Sequence, residues 1–299
     1  MLKLYDEGVA AGNVTEKGVF VNANGQYKDT VFAAYFGTDA ARCCEIYNAL
    51  CNAHATPDAI KINTLDKNFF AKLRNDVSFL VGSELVVLLE HQSTLNENMP
   101  LRFLRYIVEQ YELLINRKKL YQERLIKLPR PKFFVFYNGK KDCPDKEMLR
   151  LSEAFGDNDE AIDLELTVTL LNINDGHNEE LLKRCRGLNE YARFVAVARR
   201  ERATGKPLAE ALSAAVDWCV GNGILREFLS EHRTEVIGML TAEFDLDEAR
   251  EVWQEEAEQH IRQEMILGFR RAGVSDEVIS QASGLPLSEI RGYSVDFGR

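Results

Sequence analysis

Apolar residues follow two different spacings along this chain. Before about residue 176, short apolar runs alternate with turn residues and single helical stretches, which is typical of an α/β region. Later, apolar residues recur every three or four positions, with breaks at Gly205-Lys206-Pro207 and Gly221-Asn222-Gly223. The pattern predicts an α/β part followed by an all-α part, with helices at Leu181–Thr204, Leu208–Val220, Ile224–Thr241 and Asp247–Ile266.

Within the α/β part, a helix is expected to begin after Thr38 or Asp39, both good N-cap residues, and to run to Cys51. A second helix begins near Pro100. Its predicted apolar face is Leu101, Leu104, Val108, Tyr111, Leu114 and Ile115. Strands are predicted at Ile60–Ile62, Lys132–Tyr137 and Leu164–Ile173.

A hairpin with acidic residues at its open end is predicted between Asp76 and Glu90. Apolar runs lie on both sides of Gly82-Ser83, which is a turn signal. A two-residue turn puts the two acids on opposite faces, whereas the odd loop Gly82-Ser83-Glu84 puts Asp76 directly opposite Glu90. We expect the odd loop. Directly opposed Cβ atoms lie about 4.5–5.5 Å apart, so two carboxylates there can share one divalent cation.

The formal net charge of −10 argues against nucleic acid as a partner, because phosphate contacts need Lys and Arg. The charge is unevenly distributed, however. Residues 99–150 contain 13 Lys/Arg and 6 Asp/Glu, a balance of +7 that leaves −17 for the rest of the chain. A basic segment directly after an acidic hairpin is expected of a metal-dependent nuclease, although a solvated helix face with a basic loop has the same composition.

Composition also indicates the compartment. No apolar run reaches the roughly 18 residues of a membrane span, and the first residues lack the apolar stretch of a secretory signal. The six cysteines have no C-x-x-C pair and no zinc spacing with the five histidines, which indicates reduced thiols rather than a metal site. We therefore expect a cytoplasmic protein without a membrane partner.

Four blocks of sequence resemble a known family. They are YNALCNA (47–53), NDVSFLVG (75–82), LLEHQSTLNENMPLRFLRYIVEQYE (88–112) and LPRPKFFVFYNGKKDCPDKEMLRLSEAF (128–155). Together they are similar to the recombination-promoting nuclease (Rpn) family of transposase-like proteins, over roughly residues 27–260. That family belongs to the PD-(D/E)xK nucleases, whose Asp and Glu-x-Lys signature reads here Asp76 and Glu90-His91-Gln92. The resemblance implies a mixed sheet flanked by helices.

The resemblance and the hairpin together imply a metal site. Asp76 and Glu90 are expected to hold Mg²⁺, or Mn²⁺ in its place, with the backbone carbonyl of His91. Gln92 stands where Lys is usual and is expected to orient water or the scissile phosphate by hydrogen bonds alone. Glu45, the only acid of the first helix, either reaches the site or is an ordinary exposed glutamate.

Positive charge is then needed from elsewhere in the chain. A second metal ion held with Glu45, or the side chain of Arg102, is expected to compensate for the missing lysine. Arg102, Arg105 and Lys118 are the predicted contacts with double-stranded DNA. For Arg102, an ion pair with Glu109 or Glu45 is the alternative.

The predicted domains are an N-terminal arm (1–26), a nuclease-like domain (27–176), a helical domain (177–264) and a helix-turn-helix-like tail (265–299). The tail lacks basic residues on its second helix, so packing within the chain or in a dimer is favoured over contact with DNA. A homodimer, if one forms, is expected through the helical C-terminal region. A metal-dependent DNA endonuclease is the predicted function, linked to mobile elements or phage defence. A non-catalytic DNA-binding or assembly protein of the same fold is the alternative.

Overall fold

The computed structural model describes residues 30–62, 76–91, 96–115, 120–156 and 161–293, so the predicted N-terminal arm lies outside it. Ten α-helices are described: α1 Val31–Phe36, α2 Ala40–Cys51, α3 Met99–Leu114, α4 Glu179–Arg184, α5 Arg186–Arg202, α6 Leu208–Gly221, α7 Arg226–Glu231, α8 Arg233–Arg271, α9 Asp276–Ser283 and α10 Leu287–Gly292. The strands described are β1 Ile60–Ile62, β2 Asp76–Val81, β3 Glu84–His91, β4 Arg130–Tyr137, β5 Lys146–Arg150 and β6 Thr167–Asn172.

The six strands form one mixed sheet in the order β1-β2-β3-β4-β6-β5. The first three strands form an antiparallel meander, whereas β3, β4 and β6 run parallel and β5 runs antiparallel to β6. The helix α3 makes the crossover between parallel strands β3 and β4, so its first turn lies at the carboxyl end of β3. The predicted α/β class is confirmed.

Local signals account for several element boundaries. Asp39 begins α2 because its Oδ1 atom accepts hydrogen bonds from the backbone amides of Ala41, at 2.7 Å, and Arg42, at 3.3 Å. At the other end, Asn52 adopts the left-handed conformation that commonly closes a helix. The predicted helix after Thr38 or Asp39 is therefore confirmed, with Asp39 as the cap.

The strand β5 was not predicted. Only Leu149 of its five residues is buried, so the segment lacks the apolar alternation that marks a strand in sequence. It lies at the edge of the sheet, where a strand pairs with only one neighbouring strand.

The predicted apolar face of α3 is wrong in part. Leu101 is 54% exposed and Val108 is 49% exposed. The face that packs on the sheet is instead Met99, Phe103, Tyr106, Ile107 and Gln110. Both sets of positions have helical spacing, and only contact with the sheet chooses between them.

The helices that follow the sheet share its core. In α5, Tyr191 packs edge-on against Phe32 of α1 at 5.4 Å between ring centroids, and Phe32 lies 5.5 Å from Phe136 of β4. All three rings belong to one buried cluster that also includes residues of α2, α6 and α8. The other face of the sheet is covered by α3. The predicted boundary at residue 176 therefore does not separate two hydrophobic cores.

The C-terminal helices differ from the prediction in one respect. The two helices predicted at Ile224–Thr241 and Asp247–Ile266 are replaced by α7 and the 39-residue α8, because no Gly or Pro interrupts positions 242–246. The tail has a small core of its own, made by Ile266, Ile279 and Ile290. None of the helices described here combines the length and apolar character needed to cross a membrane.

Candidate functional site

The hairpin of β2 and β3 has a two-residue turn, Gly82-Ser83, so the expected odd loop is wrong. Val81 pairs with Glu84, and Asp76 pairs with Leu89 rather than with Glu90. Because successive strand positions belong to opposite faces, Asp76 and Glu90 lie at positions on different faces of the sheet. Gly82 has a φ of +56°, which suits the tight turn that sets this register.

The corrected register removes the hairpin argument for one shared cation. Within the described part of the chain, no group of three or more His, Cys, Asp or Glu side chains is placed to hold a metal ion. Because Asp76 pairs with Leu89, the register does not fit an ion bound between directly opposed carboxylates. Both acids still lie at the same end of the hairpin, since Asp76 begins β2 and Glu90 is the last residue but one of β3.

Glu45 has a structural contact that competes with its predicted part in a metal site. Its Oε1 atom accepts a hydrogen bond from the backbone amide of Arg186 at 2.7 Å, and Oε2 accepts one from Gly187 at 3.2 Å. These amides belong to the first turn of α5, where they have no partner within the helix. The Glu45 carboxylate thus caps α5 and joins it to α2.

The other predicted site residues are only partly described. Gln92 and Lys118 lie outside the described residues. The backbone of His91 pairs with Tyr137, the last residue of β4, and Glu90 pairs with Phe136. The Glu90-His91 pair is therefore at the carboxyl end of two parallel strands, which is where ligands commonly bind in sheets of this kind.

Polar side chains gather beyond the carboxyl ends of β4 and β6. Asn138 follows β4 and is only 2% exposed, and its Oδ1 atom accepts a hydrogen bond from Nη1 of Arg199 at 3.2 Å. The same guanidinium nitrogen lies 3.4 Å from Oδ1 of Asn174, two residues after β6. Arg199 comes from α5 and is half-buried. We call Asn138, Asn174 and Arg199 the strand-end cluster.

Hydrogen bonds hold the strand-end cluster in place. The side-chain nitrogen of Asn174, Nδ2, donates to the Gly139 carbonyl at 3.1 Å and to Oδ1 of Asn172 at 3.0 Å. Asn172 is buried and donates to the carbonyl of Cys143 at 2.7 Å. Because the Asn172 and Asn174 side chains have fixed partners, the Asn174 oxygen that faces Arg199 is preorganised.

The turn after β4 is fixed by Tyr137. Its hydroxyl donates to the carbonyl of Lys141 at 3.0 Å and accepts from the Lys141 amide at 2.9 Å. Burial raises the pKa of the Tyr137 hydroxyl above its ordinary value, so the phenol stays protonated and able to donate. Gly139 is required here, because a Cβ atom would lie 2.5 Å from two ring carbons of Tyr137.

Gly139→Ala is expected to lower the free energy of unfolding by about 1–3 kcal/mol, the usual cost of forcing an extra carbon into a packed site. Chemical denaturation monitored by circular dichroism measures the change. Gly268→Ala is the matched control, since a Cβ atom at Gly268 in α8 meets nothing within 4 Å. That variant is expected to be neutral or slightly more stable. Equal stability of Gly139→Ala and wild type would contradict the close approach of Tyr137.

The basic segment places positive side chains along α3 and after β4. Arg102 in the first turns of α3 and Lys140-Lys141 after β4 lie at the carboxyl end of the parallel strands. The Nη1 atom of Arg102 contacts the Met99 sulfur at 3.4 Å. Arg105 forms an exposed ion pair with Glu109 at 3.3 Å, one turn along α3.

Arg199, Asn138 and Asn174 were missed by the sequence reasoning. Arg199 lies in an arginine-rich helix end, Arg199-Arg200-Glu201-Arg202, that looks like an ordinary solvated face. The Asn138-Gly139 pair is typical of a tight turn and gives no sign of a site. No local signal joins positions 61 residues apart, as Arg199 and Asn138 are.

No protein-family model, curated protein or solved structure matches this chain.

Proposed function

We propose that this chain is a metal-dependent DNA endonuclease of the PD-(D/E)xK type, similar to the recombination-promoting nucleases. It hydrolyses phosphodiester bonds of double-stranded DNA, in the setting of mobile elements or phage defence. The observation that carries the proposal is the position of Glu90-His91 at the carboxyl end of β3, beside the strand-end cluster that follows β4 and β6. An acid and a fixed guanidinium at one strand end suit a site for phosphodiester chemistry.

The arrangement of elements also supports the proposal. A helix precedes an antiparallel meander of three strands, and a second helix leads into a fourth strand parallel to the third. The two helices, α2 and α3, belong to the clusters on opposite faces of the sheet. A mixed sheet flanked by helices is what the resemblance predicts.

The metal ion is assigned by the resemblance. Mg²⁺, or Mn²⁺ in its place, would be held by Asp76, Glu90 and the His91 carbonyl, and an ion there would activate water and offset phosphate charge. The observed register does not fit two directly opposed carboxylates. Gln92 would contribute hydrogen bonds and no charge.

A non-catalytic DNA-binding or assembly protein is the second candidate. Two observations favour it: Gln92 stands in place of the usual lysine, and the register puts Asp76 and Glu90 on different faces. Plasmid cleavage by wild type and by Glu90→Ala distinguishes the candidates.

A homodimer through the helical C-terminal region belongs to the same proposal. Large apolar side chains are exposed on α8, including Trp253 at 61% and Ile261 at 67%. Exposed apolar groups of this size favour association with another surface.

Binding to duplex DNA is expected to be salt-sensitive, because the proposed surface acts through phosphate contacts. Arg102→Glu, Arg105→Glu and Lys118→Glu are each expected to weaken binding and to flatten its salt dependence. Fluorescence anisotropy of a labelled duplex, measured in EDTA between low and moderate salt, tests this. Arg226→Glu is the control, since Arg226 is exposed and lies outside residues 99–150. An affinity that does not change with salt would contradict the proposed surface.

A further inference from the structure

We infer that a pocket between the loop after β6 and the helices α5 and α6 binds a nucleoside monophosphate. The base would lie against Trp218 of α6, a sugar hydroxyl would bond to His177 of the loop, and the phosphate would bind Arg193 of α5. We call this cavity the α5 pocket. It is separate from the proposed nuclease site at β3, because β4 lies between β3 and β6. The inference does not depend on nuclease activity.

The α5 pocket has the size of a small-molecule site. Its volume is about 420 Å³, within the range of about 300–1,000 Å³ that is usual for ligand pockets. The buried side chains of Ile173, Ala192 and Val197 line it. These side chains offer an apolar surface, so the face of a flat ring can pack there while the polar edge of the ring stays in contact with water.

Trp218 gives the α5 pocket an aromatic wall. The side chain lines the pocket and is 39% exposed. Arg200, which does not line the pocket, lies 5.0 Å from the centroid of the Trp218 ring and restrains the indole by a cation–π contact. An accessible indole beside an apolar surface suits a nucleobase, because every base presents a π face that stacks on aromatic side chains.

Arg193 supplies positive charge at the same pocket. It is exposed on α5, lines the pocket, and makes no hydrogen bond or ion pair with the residues that the structure describes. Lys183, the other described lysine or arginine of the lining, pairs with Glu179 at 3.4 Å and with Glu180 at 3.1 Å. The guanidinium of Arg193 is therefore the group left for a ligand, and it offers several donors in one plane that match phosphate oxygens.

Asp145 fixes the hydrogen-bonding role of His177, which also lines the pocket. The Nδ1 atom of His177 lies 2.6 Å from Oδ1 of Asp145, and a carboxylate oxygen in that place accepts the Nδ1 proton. The neutral ring then keeps Nε2 as an acceptor, which suits a sugar hydroxyl. Asp175, another residue of the lining, adds an acceptor for an N–H group of a base.

The charges of the lining favour a nucleotide over a bare anion. Asp175 and Glu179 carry negative charge at the same pocket as Lys183 and Arg193. These four charges cancel, so they provide no net positive field to hold phosphate by itself. A ligand therefore needs the ring contact with Trp218 in addition to the phosphate contact with Arg193. A nucleoside monophosphate combines both groups in one small molecule.

Nucleotide binding is expected to be saturable and to change the fluorescence of Trp218. The chain contains two tryptophans, so Trp253→Phe leaves Trp218 as the single one. Trp253 is 61% exposed on α8 and does not line the pocket. Isothermal titration measures the affinity independently of light absorption by the bases. The probes are the 5′-monophosphates of adenosine, guanosine, cytidine and uridine, added to the full chain in EDTA at constant ionic strength.

Two substitutions test the two principal contacts. Trp218→Ala and Arg193→Ala are each expected to weaken binding of the tightest of the four nucleotides about tenfold or more. Trp218→Phe keeps a smaller ring, and its affinity is expected to fall between those of wild type and Trp218→Ala. Arg271→Ala is the matched control, because Arg271 is an exposed helical arginine that does not line the pocket. Its affinity is expected to equal that of wild type.

Three results would overturn the inference. The first is the absence of saturable binding by all four nucleotides. The second is an Arg193→Ala affinity equal to that of wild type. The third is inorganic phosphate bound as tightly as the nucleotides, which would indicate an anion site without a base contact. If Trp218→Ala does not fold, Arg193→Ala still decides the inference, because Arg193 is exposed.

Competition identifies the source of the nucleotide. A 5′-phosphorylated trinucleotide that displaces the mononucleotide with equal affinity would support binding of a DNA strand end, whereas weaker displacement would support binding of the free nucleotide. Neither metal nor cleavage enters these measurements. Loss of nucleotide binding therefore leaves the nuclease proposal standing, and absence of cleavage leaves the α5 pocket standing.

Discussion

Wild-type protein is expected to nick supercoiled plasmid in the presence of Mg²⁺ or Mn²⁺, and Glu90→Ala is expected to cut about 100-fold more slowly or worse. A loss of this size is typical when a group that stabilises developing charge is removed. Gel analysis of plasmid over time measures the rate. Glu97→Ala is the matched control, because Glu97 is an exposed acid just before α3 and is expected to leave the rate unchanged.

The same assay decides how Asp76 and Glu90 are related. If the two carboxylates act on one ion, as the resemblance implies, the double variant Asp76→Ala/Glu90→Ala loses no more activity than the more damaged single variant. If they act separately, the single losses multiply. The second result would agree with the register, which pairs Asp76 with Leu89.

Two outcomes would overturn the nuclease proposal. One is equal cleavage by wild type and Glu90→Ala, which would trace the activity to a contaminant or another site. The other is no cleavage by wild type across Mg²⁺, Mn²⁺ and Ca²⁺ while DNA binding persists, which would leave the non-catalytic alternative.

Tyr191→Ala is expected to lower the free energy of unfolding by about 3–5 kcal/mol, as truncation of a large buried aromatic side chain does. Tyr191 is fully buried and links α5 through Phe32 to Phe136 of the sheet. Denaturant unfolding measures the loss. Tyr121→Ala is the matched control, because Tyr121 is 92% exposed and its truncation is expected to change stability by about 0.5 kcal/mol or less.

Hydrogen exchange extends this test to the predicted domain boundary. If the sheet and the following helices are one cooperative unit, Tyr191→Ala speeds the slowest exchange of β4 and β6 amides together with that of α5 amides. If a boundary at residue 176 separated two independent units, exchange would speed up only in the helices. That second outcome would contradict the shared core.

Short-range signals in the sequence were sufficient for the α/β class and for most elements. The cap at Asp39 and the breaks at Gly205 and Gly221 act within one or two turns of chain, so the residues that determine them are adjacent in sequence. Three of the predicted strands and the two short tail helices were found close to their expected positions. Each of these features depends on neighbours along the chain.

Tertiary structure decided the hairpin register. The residues around Gly82-Ser83 are compatible with a two-residue loop and with an odd loop. A shift of one residue in the pairing register, however, moves every side chain of one strand to the other face of the sheet. The observed pairing buries Val77, Phe79 and Val81 against α1 and α2. Burial of that face against helices distant in sequence favours this register over the expected one. As a result, Asp76 and Glu90 occupy positions on different faces of the sheet.

Tertiary structure also decided which polar residues form the candidate site. Arg199 contacts Asn138 because α5 packs across the sheet. The same packing places Glu45 beside the first turn of α5. Helical spacing is compatible with two different buried faces of α3, and contact with the sheet decides between them. The sequence alone determined most of the helices and strands, because that information is local, whereas the edge strand β5 and the long helix α8 became clear only in the fold. The fold alone determined which residues meet at the strand ends, because those contacts join segments far apart in the chain.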